Sequence, residues 1–211
     1  IKALGAEVRL IGENQDEAQL EADRLSSEEG MTYVSPFDNI DVIAGQGTLG
    51  LEIHRQIPKL NFAFVPLSGG GLICGVAKAL KGLNRNLKVI GVSMDRGAAM
   101  YEAQKAGKPI FVKEEESLAD ALTGGIGLDN KYTFQLTKQL VDDIVLVSEK
   151  EIADGIHHAY WCESQIIEGA GAVAIASLLN KKFKPNGTSV ALVCGRNINM
   201  EKHFSLISGK S

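Results

Sequence analysis

Phe62-Ala63-Phe64-Val65-Pro66-Leu67, then Ser68-Gly69-Gly70-Gly71, then Leu72-Ile73-Cys74-Gly75-Val76-Ala77-Lys78-Ala79-Leu80: this stretch decides the fold. The apolar run before the glycines reads as a buried strand, and the residues after them read as a helix. Three glycines without Cβ atoms let the backbone turn sharply and come close to a ligand. Free amides in the first helical turn, with the positive end of the helix dipole, favour an anion there. Strand, glycine loop and helix together read as a phosphate cradle.

Working outward, Leu87–Ser93 reads as a second strand, so residues 62–93 form a βαβ unit with parallel strands. The pattern predicts strands at Glu7–Ile11, Met31–Val34, Asp143–Val147 and Ser189–Cys194. It predicts helices over Gln15–Glu29, Asp41–Ile57, Ala98–Ala106, Lys131–Leu140 and Glu168–Leu179. Ser148-Glu149-Lys150-Glu151 is a capping box opening a further helix. Residues 113–129 read as irregular, broken by Gly124, Gly125 and Gly127. Strands alternating with helices, with apolar strands throughout, imply an α/β class with a mainly parallel sheet.

The 211 residues are 45% hydrophobic and 23% charged, which suits a globular chain, and the net charge of -4 argues against a nucleic-acid partner. No apolar run approaches the roughly 20 residues that span a bilayer. Cys74, Cys162 and Cys194 are too scattered for a disulfide framework or a zinc knuckle, so a reducing, cytoplasmic setting is the expectation.

Three readings of the cradle compete. A Walker A loop needs Lys-Ser or Lys-Thr after its glycines, and Leu72-Ile73 stand there instead. A dinucleotide loop is closer: Gly69, Gly71 and Gly75 approximate its spacing, and Asp95 lies where a ribose-binding acid would sit. A ligand-free turn is the third, since glycine is also the ordinary turn residue.

The flanking residues separate these readings. Ser35-Pro36-Phe37-Asp38, followed by Val42-Ile43-Ala44-Gly45-Gln46-Gly47-Thr48-Leu49-Gly50-Leu51-Glu52-Ile53, closely resembles a signature of the pyridoxal-phosphate serine/threonine dehydratases and serine racemases. Val65–Leu72 resembles that family's glycine loop, Asp142–Ser148 with Glu151-Ile152 its acidic strand segment, Glu168–Ala172 its Glu-x-Ala-Gly stretch, and Val190–Asn197 its terminal strand and turn. These landmarks keep the family's order over almost the whole chain.

The resemblance implies a fold of type II, with residues 1–50 as the remainder of a small α/β domain and its crossover, and 51–211 as the large cofactor-binding domain. It implies pyridoxal 5'-phosphate as cofactor, with Ser68, Gly69, Gly70, Gly71, Leu72, Cys194 and Phe37 around it and Glu168 as a catalytic candidate. The thiol of Cys194 would stand at the pyridine nitrogen. The resemblance also exposes a gap: no segment matches the family's lysine motif, so the aldimine lysine is expected to be absent from this chain. Lys2, Lys59, Lys78 and Lys81 all lie outside any matching context. An N-terminally truncated or cleaved protein, inactive alone, is the expectation. Val92-Ser93-Met94 and Ala99 lack the carboxylates of the metal site of some relatives, so no metal is expected.

The reaction implied is dehydration of a small 3-hydroxy amino acid to a keto acid and ammonia, with racemisation as the neighbouring alternative. The stretch Gly91–Met100 looks more narrowly like dehydratases of ectoine and hydroxyectoine utilisation. A homo-oligomer, dimer or tetramer, is expected, with an amino-acid substrate and no membrane partner. A nicotinamide oxidoreductase and a non-catalytic protein on the same fold remain open. His54, His157, His158 and His203 fit no motif and read as surface or helix-face residues, and Trp161 and Cys162 read as packing.

Overall fold

The computed structural model describes residues 1–12 and 15–208. The chain divides into two compact units, Ile1–Ser35 and the remainder from Pro36. The first holds a short 3-10 turn at Lys2–Leu4 and helix α1 (Gln15–Glu29). Along α1, Arg24 bonds Glu21 at 2.8 Å and Glu28 at 2.8 Å, the spacings at which helix side chains meet.

The strands expected at Glu7–Ile11 and Met31–Val34 do not form among the described residues. A strand exists only where a neighbour completes its ladder, and neither segment has one; Leu10 is 89% exposed.

The second unit is built on a parallel sheet: β1 (Phe62–Pro66), β2 (Lys88–Met94), β3 (Asp143–Val147) and β4 (Ser189–Ala191), in the order β3-β2-β1-β4. Its helices are α2 (Ile40–Gln56), α3 (Gly71–Leu83), α4 (Ala99–Ala106), α5 (Thr133–Leu140), α6 (Glu149–Trp161), α7 (Gly169–Leu179) and α8 (Met200–Ile207). Ala63, Val65 and Val89 point into one core with Ile73, Val76 and Leu80 of α3. Phe64, Ile90, Val92 and Met94 point into the opposite core with Ile152 and Ile156 of α6 and Val173 of α7. Helices thus cover both faces, which is why the strands read as continuous apolar runs rather than alternating ones.

Helix α2 packs closely on α3. A Cβ on Gly75 would strike the Ile43 carbonyl and stand 2.7 Å from the Gly47 amide, so this position admits only glycine. The third glycine of the apparent dinucleotide pattern therefore serves helix packing.

Other differences from the sequence expectations are local. A 3-10 turn, Asp120–Leu122, interrupts the irregular stretch. Helix α8, capped by Asn199, extends beyond the terminal strand, and its His203 is a helix-face residue, on the buried side of that helix. Trp161 and Cys162 are exposed instead of packed, although the Trp161 indole donates to the Ile207 carbonyl at 3.0 Å. The capping box forms as expected, Ser148 and Glu151 bonding reciprocally.

Asp142 ties the start of β3 to β2 and α3. It accepts from Lys81 at 2.6 Å, the Val89 amide at 2.8 Å and Lys88 at 2.9 Å. Burial pushes its carboxyl up, but these three donors outweigh burial and hold the pKa below the ordinary carboxylate value. The resulting stability is complete above the unfolded value of about 3.9 and is lost as pH falls through the lower folded value. Asp142→Asn should therefore cost about 1–2 kcal/mol at neutral pH. Urea titrations at pH 7 and near pH 2 check this, with the difference between the proteins expected to vanish in acid.

Candidate functional site

After β1, the Leu67 amide still bonds the Val92 carbonyl of β2 at 2.8 Å, and the chain then turns through Ser68–Gly70 into α3. Gly70 caps that helix at φ 94°, in the left-handed region that side chains disfavour. A Cβ there would also stand 3.0 Å from Thr133 Cβ and 3.1 Å from Met100 Cε. The Phe37 ring lies against Gly69, and a Cβ on Gly71 would stand 2.8 Å from Phe37 Cα. Gly69, Gly70 and Gly71 are buried, whereas Ser68, Leu72 and Phe37 are partly exposed.

The backbone of this loop is incompletely bonded. Among the described residues no acceptor takes the amides of Ser68, Gly69, Gly70, Gly71, Leu72 or Ile73. The first bonded amide in the run is Cys74, which donates to the Gly70 carbonyl at 2.9 Å. Buried amides in folded proteins are almost always paired. This run, at the start of a helix and around glycines that leave no side chain in the way, suits an anion with several acceptor oxygens.

The sheet order puts the loop in a functional place. From β1 the chain continues to β2 on one side, while β4 returns on the other, so the topological switch point lies between β1 and β4. Ligands in open α/β sheets bind outside the carboxyl ends of the strands at such a point. The register Phe64↔Ala191, extended by the Leu192 amide on the Phe64 carbonyl at 2.9 Å, brings Cys194 to the same carboxyl end as Leu67.

Cys194 is half-buried, and burial followed by the Glu168 charge pushes its thiol pKa up, so the group stays neutral. Its carbonyl packs against Gly171. Glu168 accepts from the Asn197 amide at 2.8 Å, lies against Gly195, and donates its own amide to the Gly195 carbonyl at 3.2 Å. Glu168 thus fastens the turn after Cys194 to the start of α7.

The sequence reading assigns no role to Asp38 or Asn39. Asn39 caps α2, bonding the Asp41 amide at 2.8 Å and the Val42 amide at 3.2 Å. Asp38 takes the amides of Lys131 at 2.6 Å, Tyr132 at 2.9 Å and Thr133 at 2.9 Å, at the start of α5. Thr133 and Thr137 of α5 are buried behind Gly70 and meet the Cys74 thiol. An Asp-Asn pair before an apolar helix signals a cap, but no sequence signal gives a partner so far along the chain.

Of the lysines considered above, Lys81 is tied to Asp142 and Lys78 stands on the apolar groove between α2 and α3. Asp95, at the end of β2, lies 3.6 Å from Arg96. Among the described residues no three His, Cys, Asp or Glu side chains converge on a metal position, and no helix is long and apolar enough to cross a membrane.

Residues 1–195 match the family described as pyridoxal-phosphate dependent enzyme. The chain is 53% identical over 210 residues to a Sinorhizobium fredii protein named "Putative threonine dehydratase", covering 99% of this chain and 63% of that one. Its fold is similar to the processed form of threonine deaminase isoform 2 from Solanum lycopersicum, with a TM-score of 0.85, 37% identity, and coverage of 98% of this chain and 58% of that one. It is also similar to maize serine racemase, with a TM-score of 0.86, 26% identity, and coverage of 99% and 64%. The chain therefore spans about three-fifths of the length of these proteins.

Two measurements probe the site directly. Gly70→Val combines a left-handed backbone with contact against Thr133 and Met100, and should lose detectable phosphate binding in calorimetry while circular dichroism reports the helices retained. Glu168→Gln keeps the acceptor for Asn197 but removes the charge that helps raise the Cys194 pKa. Iodoacetamide should then label Cys194 faster at pH 8 than in the parent, as read by peptide mass spectrometry.

Proposed function

The chain belongs to the pyridoxal-phosphate dependent enzyme family, and we propose that it serves the deaminating dehydration of a small 3-hydroxy amino acid, threonine or serine. In that reaction the α-proton and the β-hydroxyl leave as water. A water molecule then returns as the nitrogen departs, giving a keto acid and ammonia. The single observation that carries the reading is the run of amides from Ser68 to Ile73, without an acceptor among the described residues, at the switch point of the sheet. The names of the relatives support the reaction class.

The loop fits the cofactor's phosphate: its amides and the α3 dipole offer neutral donors to a dianion, and glycine leaves the backbone accessible. Pyridoxal phosphate, when bound, supplies an electron-withdrawing ring that acidifies the Cα–H of an attached amino acid. In this reading Ser68, Gly69, Gly70, Gly71 and Leu72 hold the phosphate, and Phe37 walls the loop. Cys194 offers the ring nitrogen a neutral thiol, which leaves that nitrogen less protonated than a carboxylate would. Glu168, with one oxygen committed to the Asn197 amide, acts through the turn that carries Cys194.

The assignment of residues 1–50 to the small domain and crossover, and of 51–211 to the large domain, is part of the same proposal; α2 runs through that boundary. So are a homo-oligomeric assembly and a cytoplasmic setting. A hydroxyectoine-derived analogue of such a 3-hydroxy amino acid is the narrower substrate suggested by Gly91–Met100. Racemisation is the second reading, favoured by the likeness to maize serine racemase.

The test of the reaction is release of ammonia and keto acid from L-threonine and L-serine by the natural gene product. Appearance of D-serine without ammonia would favour the racemase, and neither product would overturn both. Residues 1–211 alone should form no keto acid. Borohydride treatment with pyridoxal phosphate should then leave no single lysine stoichiometrically modified, as read by peptide mass spectrometry. One fully modified lysine accompanied by turnover would place the covalent site within this chain.

A further inference from the structure

The glycine loop is held between two walls. Phe37 forms one, its ring against Gly69 and its backbone against Gly71. The first turn of α5 forms the other: from the Cβ direction of Gly70, Thr133 Cβ lies at 3.0 Å and Thr137 Oγ1 at 3.2 Å. The same two threonines meet α3 at Cys74, whose Sγ lies 3.6 Å from the Thr133 carbonyl and 3.4 Å from Thr137 Oγ1.

The loop's own amides make no internal bonds. Its conformation is therefore set by the walls rather than by its own hydrogen bonding. What joins the walls is Asp38. It follows Phe37 directly, and its carboxylate takes the amides of Lys131, Tyr132 and Thr133. Tyr132, the residue in the cap position of α5, gives no side-chain cap of its own. The helix is capped from across the fold instead.

We infer that Asp38 is a positioning residue for anion binding at the glycine loop: by capping α5 in trans it fixes the separation of the two walls, and so the aim of the amides from Ser68 to Leu72. It acts without touching the ligand. The inference rests on the reading of this loop as the phosphate site.

The bonding pattern makes a graded prediction. Oδ1 of Asp38 takes both the Tyr132 and Thr133 amides, and Oδ2 takes that of Lys131. Asn keeps an oxygen for the first two amides and loses the third. Ser can satisfy one, and Ala none. If the competent loop is populated in proportion to these bonds, apparent affinity falls with that population. Asp38→Ala should then weaken phosphate binding by about tenfold, the effect of losing a cap of ordinary strength. Asp38→Asn should stay within about threefold of the parent, and Asp38→Ser should fall between.

The experiment is calorimetric titration of residues 1–211 and the three variants with deoxypyridoxine phosphate, which has no aldehyde to react with surface lysines. Inorganic phosphate and unphosphorylated deoxypyridoxine are titrated in parallel, and circular dichroism reports folding. The expected result is the order Asp, Asn, Ser, Ala for both phosphate-bearing probes, with the unphosphorylated probe unaffected. A residue that only stabilised the fold would shift the melting temperature and leave the affinities of the folded variants equal. Equal affinities would overturn the role of Asp38 while leaving the phosphate site standing. If Asp38→Ala does not fold, the Asn and Ser variants carry the ranking. Failure of the parent to bind either phosphate-bearing probe would overturn the phosphate site itself, and the inference with it.

Discussion

A buried backbone amide needs an acceptor, and the six consecutive amides from Ser68 to Ile73, most of them on buried residues, have none within the described fold. Much of the second unit can be understood as support for that run. The sheet brings β4 back beside β1, so the loop opens at the switch point. Helix α3 adds its dipole. Phe37 and the first turn of α5 confine the glycines from either side. A loop with its own hydrogen bonds could hold itself; this one depends on neighbours contributed by distant parts of the chain.

That dependence explains which features were legible in the sequence. The β1–loop–α3 unit was readable because strand, turn and helix signals lie next to one another. The capping box at Ser148 was readable for the same reason. The segments Glu7–Ile11 and Met31–Val34 carry the apolar pattern of strands, yet a strand is a relation between two segments, and among the described residues no partner completes either. Asp38 lay in plain view within a recognised motif. Its meaning was hidden because its partners begin at Lys131. His203 reads as a surface or helix-face residue, and that it lies on a buried helix face is not legible because α8 is short and its inward face is set by tertiary packing.

The glycines divide between two tasks that sequence spacing cannot separate. Gly70 adopts a left-handed backbone in the loop, a local requirement. Gly75 sits in the ordinary helical interior of α3 and is glycine because α2 crosses there at backbone distance. Read as a pattern, Gly69, Gly71 and Gly75 resemble a dinucleotide fingerprint. Read as structure, the first two face Phe37 and the third faces α2, so the pattern has no single cause.

The electrostatics follow the same division of labour. The chain carries a net charge of -4, and its glycine loop is framed by Asp38 on one side and, along the strand ends, by Glu168 near Cys194. Unpaired carboxylates so placed would oppose a phosphate. Each is instead committed to backbone amides: Asp38 to the start of α5, and Glu168 to Asn197. The helix end and the turn that receive them point amide dipoles at their charge, and at Cys194 burial, with the Glu168 charge added to it, keeps the thiol protonated. A site assembled from dipoles and neutral donors can hold a dianion without a fixed cation. Its binding should therefore depend more on geometry than on ionic strength, and the residues that set that geometry are the partly exposed caps beside the loop.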